Sequence, residues 1–291
     1  MRVKTVIIVI SVLSVILLEG AALAIDQTLL LKLLELKRES YLNRRGELSI
    51  DITPVYSQDK SIVPWTITKN YNYNLNTNIR LGLSDRLELS VLVPYTSMQK
   101  EVFTNAWDTY RGSGFGDPRV SFQYEMLSEK VNRPATYLTG GLRLPMGKSY
   151  FDGVPVNELA PGSGYYATTW GLSFLKSIDP TALFWGFDYQ LTFPRADYNP
   201  ADILGYNLGL AWSLNQSVNL SLGLSGAVVG EDRQIVNGVE QTLNPAYNIS
   251  GLSVSSNVML SSGLFVNPSI FFGLTDEESD FIFSLGMSLK R

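Results

Sequence analysis

The sequence predicts an all-β protein, a transmembrane antiparallel β-barrel of about 12 strands with a short N-terminal helix. Three observations lead to this prediction: an export signal, a two-residue hydrophobic period along most of the chain, and connections that alternate between short and long. The stretch YNYNLNTNIRLGL, Tyr71 to Leu83, shows the period most clearly, because asparagines alternate with aromatic and aliphatic residues. Such a strand is apolar on one face and polar on the other.

The first residues have the pattern of a secretory signal peptide. A short basic head, Met1 to Lys4, precedes an apolar run, Thr5 to Leu18, and the small-x-small cleavage signal Ala22-Leu23-Ala24. The apolar run is shorter than the roughly 20 residues that span a bilayer as a helix, which favours cleavage over an uncleaved anchor. We therefore expect residues 1–24 to be a signal peptide.

Residues 25–45 form a separate N-terminal helical segment in our reading. From Ile25 to about Tyr41 the chain has helical spacing, with Asp26 as a plausible N-cap and with leucines at Leu29, Leu30, Leu33 and Leu36. The segment is a plug or rim-docked helix, a coiled-coil or trimer contact in the periplasm, or a mobile amphipathic tail. Its leucines cover too wide an arc for a strict coiled-coil seam, which places the plug first.

Residues 46–291 read as the barrel, because the hydrophobic period becomes two from Gly46 onward. About twelve segments alternate in this way, and a tilted strand of about 9 to 11 residues crosses a bilayer. Tight turns at 84–86, 177–180, 215–216 and 261–263 fall between longer excursions at 97–115, 146–163 and 230–246. Short turns on one rim and long loops on the other are typical of outer-membrane barrels.

A soluble β-sandwich would explain the alternation equally well. The export signal, the strand lengths and the aromatic residues near strand ends favour the barrel. We expect these aromatics to form two interfacial girdles. The long-loop rim would carry Trp65, Tyr95, Phe193 and Tyr206, and the short-turn rim Tyr124, Trp185 and Trp212.

The composition argues against several classes of function. The chain has no cysteine and no histidine, so thiol nucleophiles, disulfides, histidine metal ligands and the commonest general base are absent from the sequence. The net charge of -4 and the lack of a long basic run give no electrostatic footprint for nucleic acid. We therefore expect no enzyme activity, no catalytic residue, no cofactor and no metal.

The polar faces of the strands should line the lumen. The lumen-lining residues predicted on this basis are Asn72, Asn74, Asn76, Arg80, Glu88, Asp117, Arg119, Glu125, Arg143 and Asp188. They either pair with each other and keep the interior hydrated or act as a selectivity filter. Glu88 should lie diagonal to Arg80, within reach of a cross-strand pair. Arg119 and Arg143 should lie nearly opposite one another, where they repel unless Asp117 or a loop acid joins them.

Two segments resemble a known family. GSGFGDPRVSFQYEML spans residues 112–127 and GLRLPMGKS spans residues 141–149. They resemble the MetA-pathway of phenol degradation family, whose pattern is G-x-G-D before a strand with an aromatic and then a strand ending in Leu-Pro-x-Gly. The matching positions are Gly114, Gly116, Asp117, Tyr124, Leu144, Pro145 and Gly147. The resemblance implies a Gram-negative outer-membrane channel for small, often aromatic or apolar compounds.

The expected function is therefore passive uptake or efflux of small organic solutes across the outer membrane of a Gram-negative bacterium. The layout of a barrel behind a helical segment also resembles the functional-amyloid secretion channel, so a secretion pore for an unfolded polypeptide is one alternative. A structural barrel without transport is another. The expected partners are outer-membrane lipid, small organic solutes and the barrel-assembly machinery; a homo-oligomer is left open, and nucleic acid is not expected.

Overall fold

The computed structural model describes residues 42–63, 66–104, 106–155, 157–236, 239–275 and 279–291. The predicted signal peptide, the plug leucines Leu29, Leu30, Leu33 and Leu36, and Trp65 lie outside the described residues. A single turn of 3-10 helix spans Tyr150–Asp152. The strands are β1 (Leu48–Val63), β2 (Thr66–Ser84), β3 (Leu87–Phe103), β4 (Trp107–Phe115), β5 (Arg119–Leu127), β6 (Ala135–Arg143), β7 (Ala167–Ile178), β8 (Thr181–Thr192), β9 (Tyr198–Asn199), β10 (Ile203–Ser213), β11 (Val218–Val229), β12 (Asp232–Val236), β13 (Val239–Asn244), β14 (Tyr247–Ser261), β15 (Leu264–Gly273) and β16 (Phe281–Lys290).

A closed antiparallel barrel forms the body of the protein. Each barrel strand pairs with the barrel strands before and after it in the chain, and the ring closes between β1 and β16, where Ser49 lies opposite Lys290. Closure leaves no edge strand with unpaired backbone groups, as hydrocarbon surroundings require. The prediction of about 12 strands is confirmed: the ring consists of β1, β2, β3, β5, β6, β7, β8, β10, β11, β14, β15 and β16.

The two faces of the barrel wall differ sharply in polarity. On β2, Tyr73 and Leu75 are 56% and 43% exposed on the outer face, whereas Asn74 and Asn76 are 4% and 6% exposed on the inner face. The outward series on the other barrel strands is likewise dominated by aliphatic and aromatic residues. The asparagine period therefore separates an apolar outer belt from a polar interior.

The two rims of the barrel are also different. Short turns such as Asp85-Arg86 and Asp179-Pro180 join strands at one rim, which we call the short-turn rim. The C-terminus lies here, because the Leu48 N–H donates to the Arg291 carbonyl over 3.0 Å. At the opposite, long-loop rim, the longest connections between barrel strands are 104–118, 144–166, 193–202 and 230–246.

The prediction of a loop over residues 97–115 is wrong. These residues form the upper half of β3 and the whole of β4, which pair from Tyr95 opposite Phe115 to Phe103 opposite Trp107. A glycine of β4 admits a neighbouring segment of the chain. A Cβ on Gly112 would lie 1.8 Å from the Leu159 carbonyl oxygen. The chain thus extends the sheet beyond the ring and covers part of the new strand's free edge.

The predicted excursion at 230–246 also contains strands. β12 and β13 form a hairpin that pairs with β9 in a separate three-stranded sheet. Asp232 ties this sheet to the barrel, because its Oδ1 accepts the Ala201 N–H over 2.8 Å. The long loops therefore pack on one another above the lumen.

The aromatic residues lie near both rims on the outer face. Tyr95, Phe193 and Tyr206 are exposed toward the long-loop rim, and Tyr124 is exposed at the opposite one. Trp185 stacks on Phe174 with ring centroids 5.4 Å apart. These positions agree with two interfacial girdles.

The face assignment predicts different costs for two adjacent substitutions on β10. Leu208 lies on the outer face opposite Trp185 and Leu224, whereas Asn207 lies on the inner face opposite Gly186. Leu208→Arg should cost about 2 to 4 kcal/mol of unfolding free energy in a bilayer, because it places a charge in hydrocarbon. Asn207→Arg should cost much less. Denaturant titration in lipid vesicles measures both, and equal losses would contradict the assignment.

Candidate solute pathway through the barrel

The middle of the lumen is lined by small polar side chains. The Ser221 and Ser255 hydroxyls bond to each other over 2.6 Å, and the Asn72 amide donates to the Ser57 hydroxyl over 3.3 Å. The side-chain carbonyls of Asn74, Asn76 and Gln190 are buried and have no hydrogen-bond partner among the described residues. Because an unpaired buried amide is costly, water is expected to fill the spaces beside these groups.

A buried charge network lies near the short-turn rim. The Arg80 guanidinium donates to both Asp51 carboxylate oxygens, over 2.8 and 3.1 Å, and its Nη1 lies 3.9 Å from the Glu88 Oε2. Arg80 and Glu88 were predicted to be neighbours, and they are, but Asp51 is the closer partner of Arg80. Removing one member of such a buried pair would leave an uncompensated buried charge, which is strongly destabilising.

Residues 42–44, which precede β1, reach into the lumen at this network. Leu42 and Asn43 are 1% and 2% exposed. The Asn43 N–H donates to Glu88 Oε2 over 2.9 Å, and its side-chain oxygen accepts the Ser49 hydroxyl over 2.8 Å. A Cβ on Gly82, an inward position of β2, would lie 2.0 Å from the Arg44 carbonyl oxygen. Glycine there makes room for the segment.

Leu42 belongs to an apolar group that we call the inner apolar cluster. Its members are buried, and all except Leu42 project inward from β6, β7 and β8. Phe184 lies flat against Gly209 on the next strand, where a Cβ would lie 2.0 Å from its ring. The inner apolar cluster consists of Leu42, Ala135, Tyr137, Leu175, Ala182 and Phe184.

A second group, the outer apolar cluster, lies inside the barrel toward the long-loop rim. Phe271 is fully buried over Gly251, in the same way that Phe184 covers Gly209. Tyr247 and Ile270 pack against this cluster. The outer apolar cluster consists of Val55, Ala201, Ile203, Ala227, Val229, Ile249, Phe271 and Ile282.

Aromatic rings from the long loops lie beyond the outer apolar cluster. Tyr198 lies 6.0 Å from Phe151 and 6.1 Å from Tyr165, measured between ring centroids. Asp152 holds two of the loops together, because its Oδ1 accepts the Arg195 Nη2 over 2.9 Å. A hydrogen bond from the Ser149 hydroxyl, with the Arg195 contact, lowers the pKa of Asp152 below its ordinary value. We call Phe151, Tyr165 and Tyr198 the aromatic mouth.

Asp117 occupies the junction between β4 and β5. One carboxylate oxygen accepts the Gly147 N–H over 3.0 Å, and the other accepts the Ser163 N–H over 2.7 Å. The expectation that it might neutralise the two arginines is not met in these contacts. A Cβ on Gly147 would lie 2.9 Å from the Phe115 carbonyl oxygen. The G-x-G-D and Leu-Pro-x-Gly segments therefore contact each other directly.

These two segments lie within a family match that covers most of the chain. Residues 57–290 match the family described as "Putative MetA-pathway of phenol degradation". The chain belongs to this family. In this family member, the hydrogen bond between Asp117 and Gly147 joins the sheet extension at β4 to the long loop after β6.

Solved structures support the same fold. The COG4313 outer membrane channel from Pseudomonas putida F1 is 15% identical, with a TM-score of 0.70, and the match covers 86% of this chain and 97% of that one. The translocator domain of the autotransporter NalP from Neisseria meningitidis is 8% identical, with a TM-score of 0.52, covering 85% and 89%. The transport unit of the autotransporter AIDA-I from Escherichia coli is 10% identical, with a TM-score of 0.50, covering 91% and 97%. This family member thus has the fold of outer-membrane β-barrels.

The remaining predicted lumen residues lie on inward positions of the barrel. Arg119 and Arg143 are direct cross-strand partners on β5 and β6. Glu125 lies opposite Tyr137 toward the short-turn rim, and Asp188 lies between Gly171 and Gly205. Across the described ranges, no group of acidic residues could hold a metal ion, and no helix is long and apolar enough to cross a membrane.

Sequence reasoning missed Asp51 and the inward apolar residues of both clusters. It assigned apolar residues to the outer face wherever they alternated with polar residues. In Leu183-Phe184-Trp185, Val228-Val229 and Phe271-Phe272, however, both parities are apolar. Such runs are the signal that could have located the clusters, because one residue of each pair must face the lumen.

The Gly82 contact predicts how the N-terminal segment can be displaced. Because the chain has no cysteine, Leu42→Cys provides a single thiol that should react slowly with a water-soluble maleimide. Adding Gly82→Val should speed labelling at least fivefold, since overpacking costs about 1 to 3 kcal/mol. Leu83→Val, at the adjacent outward position of β2, is the control and should leave labelling slow. Rapid labelling of Leu42→Cys alone would contradict the observed burial.

Proposed function

We propose that the protein is an outer-membrane channel of a Gram-negative bacterium for passive movement of small apolar or aromatic solutes. The observation that supports this proposal best is the outer apolar cluster inside the lumen, next to the aromatic mouth. Channels for ions select their solutes with rings of backbone carbonyls or charged side chains. Here, aliphatic and aromatic side chains occupy inward positions of β10, β11, β14, β15 and β16.

The cluster offers contacts that suit a small ring. Ile203, Val229 and Ile249 come from consecutive barrel strands, and Phe271 presents an aromatic ring beside them. Apolar surface that leaves water for such contacts gains about 25 cal/mol per Å². The polar wall below the cluster lets the solute leave the apolar site for water. A solute that passes through a channel must leave each site as well as occupy it.

The proposal also covers parts of the chain that the structure does not describe. Residues 1–24 would be removed as a signal peptide, and residues 25–45 would narrow the lumen from the short-turn rim. Leu42 and Asn43 support the second idea, because they place the chain inside the barrel directly after the predicted helix. The barrel-assembly machinery would insert the barrel into the outer membrane.

A secretion pore for an unfolded polypeptide fits less well. An extended chain would need a wide lumen with few adhesive surfaces. Both apolar clusters place large side chains inside the barrel, and one of these, Leu42, comes from the chain that precedes β1. A structural barrel without transport would not need the buried polar groups in the middle of the lumen that have no hydrogen-bond partner among the described residues.

Permeation in reconstituted vesicles tests the proposed channel. Proteoliposomes should admit 4-hydroxybenzamide faster than xylose, relative to protein-free vesicles. Val229→Ser should lower that ratio about fivefold, the effect of roughly 1 kcal/mol of lost apolar contact. Val228→Ser is the matched control, since Val229 is 4% exposed inside the barrel and Val228 is 45% exposed outside. Permeation no faster than in protein-free vesicles would refute the channel.

A further inference from the structure

One arginine in the upper lumen has donors without acceptors. Arg143 ends β6 on an inward position and is 8% exposed. Its guanidinium lies over the Tyr165 ring, with Cζ 4.8 Å from the ring centroid. Nε and Nη2 have no hydrogen-bond partner among the described residues. A guanidinium presents its donors in a planar fork, and these unpaired ones suit a carboxylate.

The acids near Arg143 are engaged elsewhere. Asp117 accepts backbone N–H groups of Gly147 and Ser163. Asp232, whose charge acts on Tyr165, accepts the Ala201 N–H and the Asn244 side-chain amide, each over 2.8 Å. These carboxylates hold the long-loop rim together and do not accept from the free donors of Arg143.

A second arginine increases the positive charge at the same place. Arg119 is the direct cross-strand partner of Arg143, and like charges in this arrangement repel each other. Tyr165 also belongs to the aromatic mouth, so the positive charge and an apolar ring surface lie side by side.

We propose that Arg143, with Arg119 and Tyr165, forms a binding subsite for the carboxylate of a small aromatic monoacid on its way through the lumen. The carboxylate accepts from Nε and Nη2 of Arg143, and the ring of the solute lies toward the aromatic mouth. This inference rests on the proposed channel function and names its solute class. Neutral aromatics pass the same route without using the fork.

The test compares benzoate with benzamide, which have the same ring and differ in charge. Initial uptake of each radiolabelled solute is measured in proteoliposomes near neutral pH and corrected with protein-free vesicles. The full chain should favour benzoate. Arg143→Gln should lower the benzoate-to-benzamide ratio about tenfold, the loss expected from one hydrogen bond to a charged group. Arg143→Lys keeps the charge without the fork and should lie between the two.

Arg233→Gln is the control, because this arginine lies on the exposed β12 hairpin and pairs with Glu231 and Glu240. It should leave the ratio unchanged. An unchanged ratio in a folded Arg143→Gln barrel, or in Arg143→Lys if the glutamine variant does not fold, would overturn the subsite. Uptake of benzamide without preference for benzoate would overturn it too, while leaving the channel intact. Uptake of neither solute would overturn both.

Discussion

The structure depends on closure of one hydrogen-bonded ring. In hydrocarbon, every backbone N–H and C=O must find a partner within the protein, and an antiparallel barrel provides this only when its first and last strands pair. Here β1 and β16 pair from Ser49 opposite Lys290 to Gln58 opposite Phe281. Because closure fixes which residue faces inward at every position, the polarity of both faces follows from it. The alternation in the sequence is the consequence of this constraint.

Within the ring, small residues decide what the interior can hold. Gly82 admits the carbonyl of Arg44, and Gly209 and Gly251 admit the rings of Phe184 and Phe271. A side chain at any of these positions would meet atoms closer than contact distance. The lumen is therefore shaped by glycine on the wall and by aromatic or N-terminal groups placed over it. Its middle keeps serine and asparagine, and water is expected beside the asparagine carbonyls that have no partner among the described residues.

The barrel strands and most of their faces could be predicted from the sequence, because the pleat has a period of two and the barrel strands show it. Register across a short turn could be predicted as well: Glu88 lies diagonal to Arg80, and Arg119 lies opposite Arg143. The N-terminal lumen contact could not be predicted. Which inward residues meet across a lumen depends on the tilt and stagger of the strands, which a period does not fix. For the same reason, the partners of Asn43 and the composition of both apolar clusters required the structure.

The β4 extension was missed for a different reason. Its sequence, WDTYRGSGF, has polar residues at both odd and even positions, since both faces of the strand lie beyond the apolar belt. Polar and apolar residues alternate along a strand when one of its faces meets water and the other meets an apolar phase. A strand with water on both faces shows no such alternation. The small sheet of β9, β12 and β13 lacks a clear signal in the same way, and all of β13 is exposed.

The central claim is that one closed wall separates a lipid-facing apolar surface from a hydrated lumen. A single-cysteine scan along β2, from Tyr71 to Ile79, tests it directly, because the natural chain has no cysteine. In vesicles, thiols replacing Asn72, Asn74, Asn76 and Asn78 should react with a small water-soluble maleimide, and those replacing Tyr71, Tyr73, Leu75 and Ile79 with a lipid-soluble one. The account predicts strict alternation of the two reactivities. Uniform labelling by either reagent along the strand would contradict it.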